Sequence, residues 1–123
     1  TNHNGSDIAV QTTRLDEYVK DNNLSSIDLI KCDVEGHELE VFQGGRDTLK
    51  QFKPVVIFEC EARHNGPENV MAVFDYLFSL NYKGCFYNGH SFADLDQFDL
   101  VKYQTGPNRK IYVNNFFFTP KGT

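Results

Sequence analysis

The sequence predicts an α/β fold, a mostly parallel sheet with flanking helices, from three observations. Two apolar runs, residues 27–34 and 55–59, each end in carboxylates. Each is followed by a helix-forming stretch rather than by a second strand, the alternation that produces a parallel sheet covered on both faces through right-handed crossovers. A compact aromatic run at residues 115–119 reads as a last strand before Pro120. With 123 residues, 40% of them hydrophobic and 14% aromatic, the chain is long enough for one real core and too short for two, so residues 1–123 are expected to be a single domain or part of one.

Element by element, residues 8–12 read as a short strand, and Thr13-Arg14-Leu15-Asp16 has the spacing of a capping box opening a helix. Leu15, Tyr18 and Val19 share one face of that helix. Residues 27–34 form a buried strand ending at Asp33, Glu35 and Gly36. Leu39, Val41 and Phe42, the Gly44-Gly45 break, and residues 46–50 read as a broken helix crossing over to Pro54. Val55-Val56-Ile57-Phe58 is the next strand, closed by Glu59 and Glu61. Pro67 suits the first turn of a helix, and Val70, Val73, Phe74, Leu77 and Leu80 recur at helical spacing behind it. Residues 84–87 read as a strand with Asn88-Gly89 as a turn, and residues 92–110 as a long irregular connection.

Composition excludes several classes of function. A formal net charge of -5 with dispersed acids offers no basic stripe for a phosphate backbone, so nucleic acid is not expected as a partner. Three cysteines without a Cys-x-x-Cys pair suggest neither a disulfide framework nor a zinc site, and Cys32 and Cys60 read as small core side chains. No run of about 18 apolar residues occurs and the first residues lack signal-peptide character, so a reducing cytoplasm without membrane attachment is expected.

In an open parallel sheet, ligands bind beyond the carboxyl ends of the strands, where Asp33, Glu35, Glu59 and Glu61 are expected to gather with His64 and Asn65. Asp33 and Glu35 are two apart, so a continuing strand would point both to one face. Either can accept ligand hydrogen bonds, take a proton or ligate a hard cation; equally, Glu35 can cap the following helix and Asp33 brace the loop. His37 is a possible base or a solvated residue at a helix start. Glu59 and Glu61 can complete a binding mouth, even an oxygen-ligand cation site with Asp33, or form a rim paired with Arg63 or Lys31. No metal is assigned.

These residues also resemble a known family. Thr13-Arg14-Leu15-Asp16-Glu17-Tyr18, then Lys31-Cys32-Asp33-Val34-Glu35-Gly36, then a helix reaching Gly44-Gly45, then a strand ending in Glu59 resemble the FkbM-type methyltransferases, well over residues 10–62 and loosely beyond. The resemblance implies the C-terminal half of a Rossmann-like domain that transfers a methyl group from S-adenosylmethionine, expectedly to oxygen. It places Asp33, Glu35 and His37 in catalytic roles, Asp33 beside the cofactor as well, and Glu59 and Glu61 toward a small-molecule acceptor that carries a hydroxyl. The family's glycine-rich cofactor turn and the acid of its second strand do not occur here, so the chain is expected to start beyond the cofactor-binding strands and to be inactive alone.

Two rival readings remain. Cys32-Asp33-Val34-Glu35-Gly36 is a variant of the nucleophile loop of haloacid-dehalogenase-like phosphatases, though Glu35 replaces its second aspartate and no threonine follows Gly36. The other is a non-catalytic half-domain that packs on a partner, with a homodimer formed through the exposed edge of the strand at residues 27–34.

Overall fold

In a computed structural model of the protein, which describes residues 12–107 and 110–122, the β-branched and aromatic runs make five strands. They are β1 (Leu29–Cys32), β2 (Val55–Glu59), β3 (Tyr82–Tyr87), β4 (Phe92–Asp94) and β5 (Asn115–Pro120). Five helices accompany them: α1 (Leu15–Asp21), α2 (Glu38–Gln43), α3 (Arg46–Phe52), α4 (Ala62–Asn65) and α5 (Pro67–Ser79). The expected strand at residues 8–12 falls outside the described residues except for Thr12, which is not in a strand.

The sheet order is β1-β2-β5-β3-β4. β1 and β2 are parallel, whereas β5 runs antiparallel to both β2 and β3, and β3 antiparallel to β4. This corrects the mostly parallel sheet expected from the sequence. The α/β character stands, but β5 reaches the sheet from the 92–114 connection and inserts between β2 and β3 in the opposite sense. Its apolar run fits a buried strand of either direction, so the pattern was silent on polarity. β4, unforeseen, is the return arm of a hairpin whose turn is set by the Asn88 side chain, which accepts from the His90 and Ser91 amides. Because β5 opposes both of its neighbours, β1, β2 and β3 still run the same way, and their carboxyl ends lie on one side of the sheet.

The helices pack on the sheet face that carries Val56, Phe58, Phe116, Phe118, Tyr82 and Phe86, all buried with Phe42, Leu49, Val70, Val73, Phe74 and Leu77. Phe58 sits among Phe42, Phe74, Phe116 and Phe118 at ring separations of 5.2 to 6.3 Å. Edge-to-face and tilted pairs of this kind add about 0.5–1.5 kcal/mol each beyond area burial. The alternate strand positions face the other way and remain half-exposed, Val55, Ile57 and Phe117 among them, while Leu29 is 55% and Phe92 62% exposed. The covering of both sheet faces expected from the sequence is therefore not found among the described residues.

The break between α2 and α3 falls at Gly44-Gly45, as the sequence suggests, and α1 explains it. Asp16 N donates to Gly44 O at 2.9 Å, and a Cβ on Gly45 would meet Leu15 Cδ2 at 2.6 Å, so a side chain there would have to displace Leu15 for α1 to keep its close approach. The capping box does not form, since Arg14 occupies the N-cap of α1 without a side-chain cap bond. Instead Asp16 caps α3 across the chain: its carboxylate accepts from Asp47 N at 3.0 Å, Thr48 N at 2.9 Å and Thr48 Oγ1 at 2.6 Å. Burial opposes the charge on Asp16, but the Thr48 and Asp47 hydrogen bonds and nearby Arg14 outweigh it and hold the carboxyl below its ordinary value. Val19 of α1 is buried and Leu15 half-buried, while Tyr18 turns outward.

Candidate functional site

β1 ends at Cys32, one residue short of Asp33, because the chain turns. Glu35 lies at φ +39 and Gly36 at φ +97, and a Cβ on Gly36 would come within 3.2 Å of His64 O. The alternation expected to align Asp33 and Glu35 on a continuing strand is thus replaced by a left-handed turn. A glutamate at positive φ costs about 1–2 kcal/mol relative to the right-handed region and persists only where its surroundings hold it.

Glu38 supplies that hold. Its side chain is 1% exposed, Oε2 accepts from Gly36 N at 3.2 Å, and Oε1 accepts from Asn65 Nδ2 at 2.9 Å. The same Asn65 amide reaches Glu61 O at 3.1 Å, so one carboxylate staples the loop after β1 to the loop after β2. Sequence reasoning left Glu38 out, although it stands four residues before the buried Phe42 on the same helical stripe, a signal that a carboxylate was turned inward.

The two loops meet in one small depression lined by Asp33, Glu35, Glu59 and Glu61, with Glu38 beneath and His64 beside them. His37 does not join them. It is the N-cap residue of α2, makes no side-chain cap bond, and its ring is 67% exposed with Nδ1 at 3.3 Å from Glu40 Oε2. No three His, Cys, Asp or Glu side chains among the described residues are arranged to hold a metal ion, so the cation site weighed for Asp33, Glu59 and Glu61 is not formed.

The acids of the depression differ in proton affinity. Burial, then the charges of Asp33, Glu61 and Glu35, raise the Glu59 carboxyl above its ordinary value, with Lys31 only partly opposing. Burial acts the same way on Glu61, but hydrogen bonds from Tyr112 and Arg63 and the Arg63 charge reverse the result and hold it low. Arg63 Nε lies 3.1 Å from Glu61 Oε2, and His64 Nε2 3.7 Å from Oε1. The rim pairing expected for Glu61 is therefore present, with Tyr112 added. Burial and the neighbouring Glu38 and Asp33 charges push the Cys32 thiol up to about 12, and burial raises Cys60 further, so neither is an activated nucleophile.

A wall beside the depression comes from the stretch expected to be irregular. It carries a 3₁₀ turn (Leu95–Gln97) and a π-helical turn (Val101–Thr105), and the latter buries Gln104. Gln104 Oε1 accepts from Ala62 N at 2.7 Å, and Nε2 donates to Cys60 O at 3.0 Å and Val113 O at 2.9 Å. No sequence pattern marked it, since a single buried amide has no periodicity. No helix among the described residues is long and apolar enough to cross a membrane.

Residues 1–98 match the methyltransferase FkbM domain. Over 71 residues the chain is 35% identical to the 2-O-methyltransferase NoeI of Sinorhizobium fredii (strain NBRC 101917 / NGR234), a match covering 57% of this chain and 29% of that relative. No solved structure matches the chain. The domain match spans most of the sequence and takes in the Asp33-to-Glu59 site, and the chain belongs to the FkbM methyltransferase family.

Proposed function

We propose that the chain forms the acceptor-side wall of an O-methyltransferase domain that uses S-adenosylmethionine. The observation that carries the reading is the convergence of Asp33, Glu35, Glu59 and Glu61 beyond the carboxyl ends of β1 and β2, fixed there by the Glu38–Asn65 staple. The printed name of the relative, a 2-O-methyltransferase, supports oxygen as the acceptor atom.

The donor set suits the cationic end of the cofactor. Asp33 and Glu35 are carboxylates at the turn mouth, suited to lie near the transferred methyl, and Asp33 also to hold the cofactor. Their depression is about 10 Å³, room for at most one water, so the described residues complement the cofactor's charge and do not enclose it. When bound, S-adenosylmethionine supplies a methyl group on a cationic sulfur that becomes a neutral thioether once the acceptor oxygen has taken the methyl. Glu59, raised toward protonation by its neighbours, takes the acceptor's hydroxyl proton, the direction of shift a general base requires. Its partner Glu61 stays ionised and anchors the rim. His37, turned outward, has no part in this step, and alignment of donor and acceptor supplies the rest of the acceleration.

Transfer of a labelled methyl group to a hydroxyl acceptor, by a polypeptide that joins this chain to a glycine-rich cofactor strand, tests the reading. Asp33→Asn and Glu35→Gln are expected to lower turnover at unchanged melting temperature, and Glu59→Gln to remove the acid limb of the pH profile. Full turnover in all three variants overturns it. Calorimetric titration of the 123-residue chain alone with the cofactor is expected to read weak binding or none.

A second reading, a non-catalytic half-domain that pairs with a copy of itself, is favoured by one observation: among the described residues β1 is an edge strand, and its Leu29 is 55% exposed. Light scattering that shows a monomer at all concentrations removes it.

A further inference from the structure

Beside the acidic depression lies a groove of about 560 Å³, within the range of about 300–1,000 Å³ typical of small-molecule sites. Glu61 lines both hollows, so a molecule in the groove abuts the acids at the ends of β1 and β2. We propose that this groove is the acceptor subsite and that it takes a neutral, polyhydroxylated ring, a carbohydrate, with one hydroxyl directed at the depression. The proposal rests on the O-methyl-transfer reading above and adds to it a place and a substrate class.

Charge argues for a neutral ligand. Among the described lining residues the charged side chains are Glu61 and Arg63, bonded to one another at 3.1 Å, so their charges offset. Beyond them stand Asp33, Glu35 and Glu59. A phosphorylated or carboxylated acceptor would bring its charge against these acids, with no lysine among the described lining residues to meet it.

The lining also suits a sugar ring, which has an apolar C–H face and a polar edge. The Tyr112 and Pro67 rings offer flat apolar surface, and Thr105 adds a hydroxyl. The Arg63 side chain is 71% exposed, and its guanidinium has five N–H donors, of which two bond Glu61, at 3.1 and 3.5 Å. A planar fork held by a carboxylate is preorganised to donate to vicinal hydroxyls. Gln104, through its bonds to Ala62, Cys60 and Val113, fixes the floor, so little ordering remains for a ligand to impose.

The test is a ¹H–¹⁵N NMR titration of the 123-residue chain, without cofactor, with methyl β-D-glucopyranoside, with maltotriose and with inorganic phosphate. Saturable shifts at the Ala62, Thr105 and Tyr112 amides are expected with the two sugars, about tenfold weaker in Arg63→Ala and in Tyr112→Leu. Arg63→Ala alters a side chain that is 71% exposed, and an unchanged ¹H–¹⁵N spectrum of the free variant shows that its fold is kept, so its result stands even if Tyr112→Leu unfolds. No shifts with sugars, shifts confined to another surface, or phosphate binding as tightly as the sugars overturns the proposal. The two readings fail separately. Sugar binding in the groove together with full methyl transfer in the Asp33, Glu35 and Glu59 variants removes the functional reading alone, whereas acid-dependent transfer to an acceptor insensitive to Arg63→Ala removes the subsite alone.

Discussion

Replacing Asp16 by alanine tests a helix cap made across a long stretch of sequence. The carboxylate caps α3 from 31 residues away, accepting from the Asp47 and Thr48 amides and, at 2.6 Å, from the Thr48 hydroxyl. Loss of an N-cap costs about 1 kcal/mol. Removing a negative charge from a helix N-terminus costs about 0.3–1 kcal/mol more, and an unpaired buried hydroxyl about another 1 kcal/mol. For Asp16→Ala the combined expectation is about 2.5 kcal/mol in urea unfolding, a fall of about 10 °C in melting temperature for a chain of this size. Asp16→Asn keeps one acceptor oxygen and is expected to lose about half as much. Because the folded-state pKa lies below the ordinary 3.8, this stabilisation is fully present above that value and is lost as pH falls through the folded pKa. The gap between parent and Asp16→Ala therefore narrows below about pH 4. An Asp16→Ala protein within about 0.5 kcal/mol of the parent at pH 7 would refute the cap.

Three further outcomes follow from the site. Glu38→Ala removes the side-chain acceptor of the Gly36 N–H and one of the acceptors of the Asn65 amide, which keeps Glu61 O, and opens a void, so it is expected to cost about 3 kcal/mol in urea unfolding and Glu38→Gln about half that; a neutral Glu38→Ala removes the staple. Gln104→Glu is isosteric but turns two donors to Cys60 O and Val113 O into acceptors, so at pH 7 it is expected to destabilise at least as much as Gln104→Ala, about 2–4 kcal/mol, and to recover in acid as the carboxyl protonates. Glu35→Gly relieves the positive φ and an acidic neighbour of Glu59, so its melting temperature is expected to hold or rise while methyl transfer falls; a loss above about 1 kcal/mol would make Glu35 a structural brace instead.

Much of the scaffold could be read from residue pattern because its causes are local. The β2 bounds, the Gly44-Gly45 break and Pro67 at the head of α5 each depend on a few adjacent residues. The gathering of Asp33, Glu35 and Glu59 followed from strand ends alone, since β1 and β2 are parallel neighbours. What escaped depends on partners distant in sequence. Asp16 has the spacing of a local cap, yet its hydrogen-bond partners lie beyond Gly45, and no motif in residues 13–16 records that. The direction of β5 depends on which way the 92–114 connection returns, and Phe116 and Phe118 alternate identically in either sense. His37 adjoins the acidic turn in sequence, but the helix start swings it to solvent. Gln104 and Tyr112, which complete the groove, lie in a stretch without periodicity and gain meaning only once Cys60 and Glu61 are beside them.

The half-open face of the sheet is interrupted at intervals by charge. Register places Lys31 beside Ile57, Phe117 between Ile57 and Cys85, and Asp94 opposite Cys85, while Lys83 pairs with Thr119 and Glu59 with Asn115. An apolar row of strands bare on one side is a template for cross-β stacking, and side chains of this sort act as gatekeepers against it. Lys31 and Asp94 bracket the row through Phe117 at its two outer strands, so an incoming strand would have to desolvate a charge at either end. The face is thus a poor seed for its own aggregation despite its apolar row.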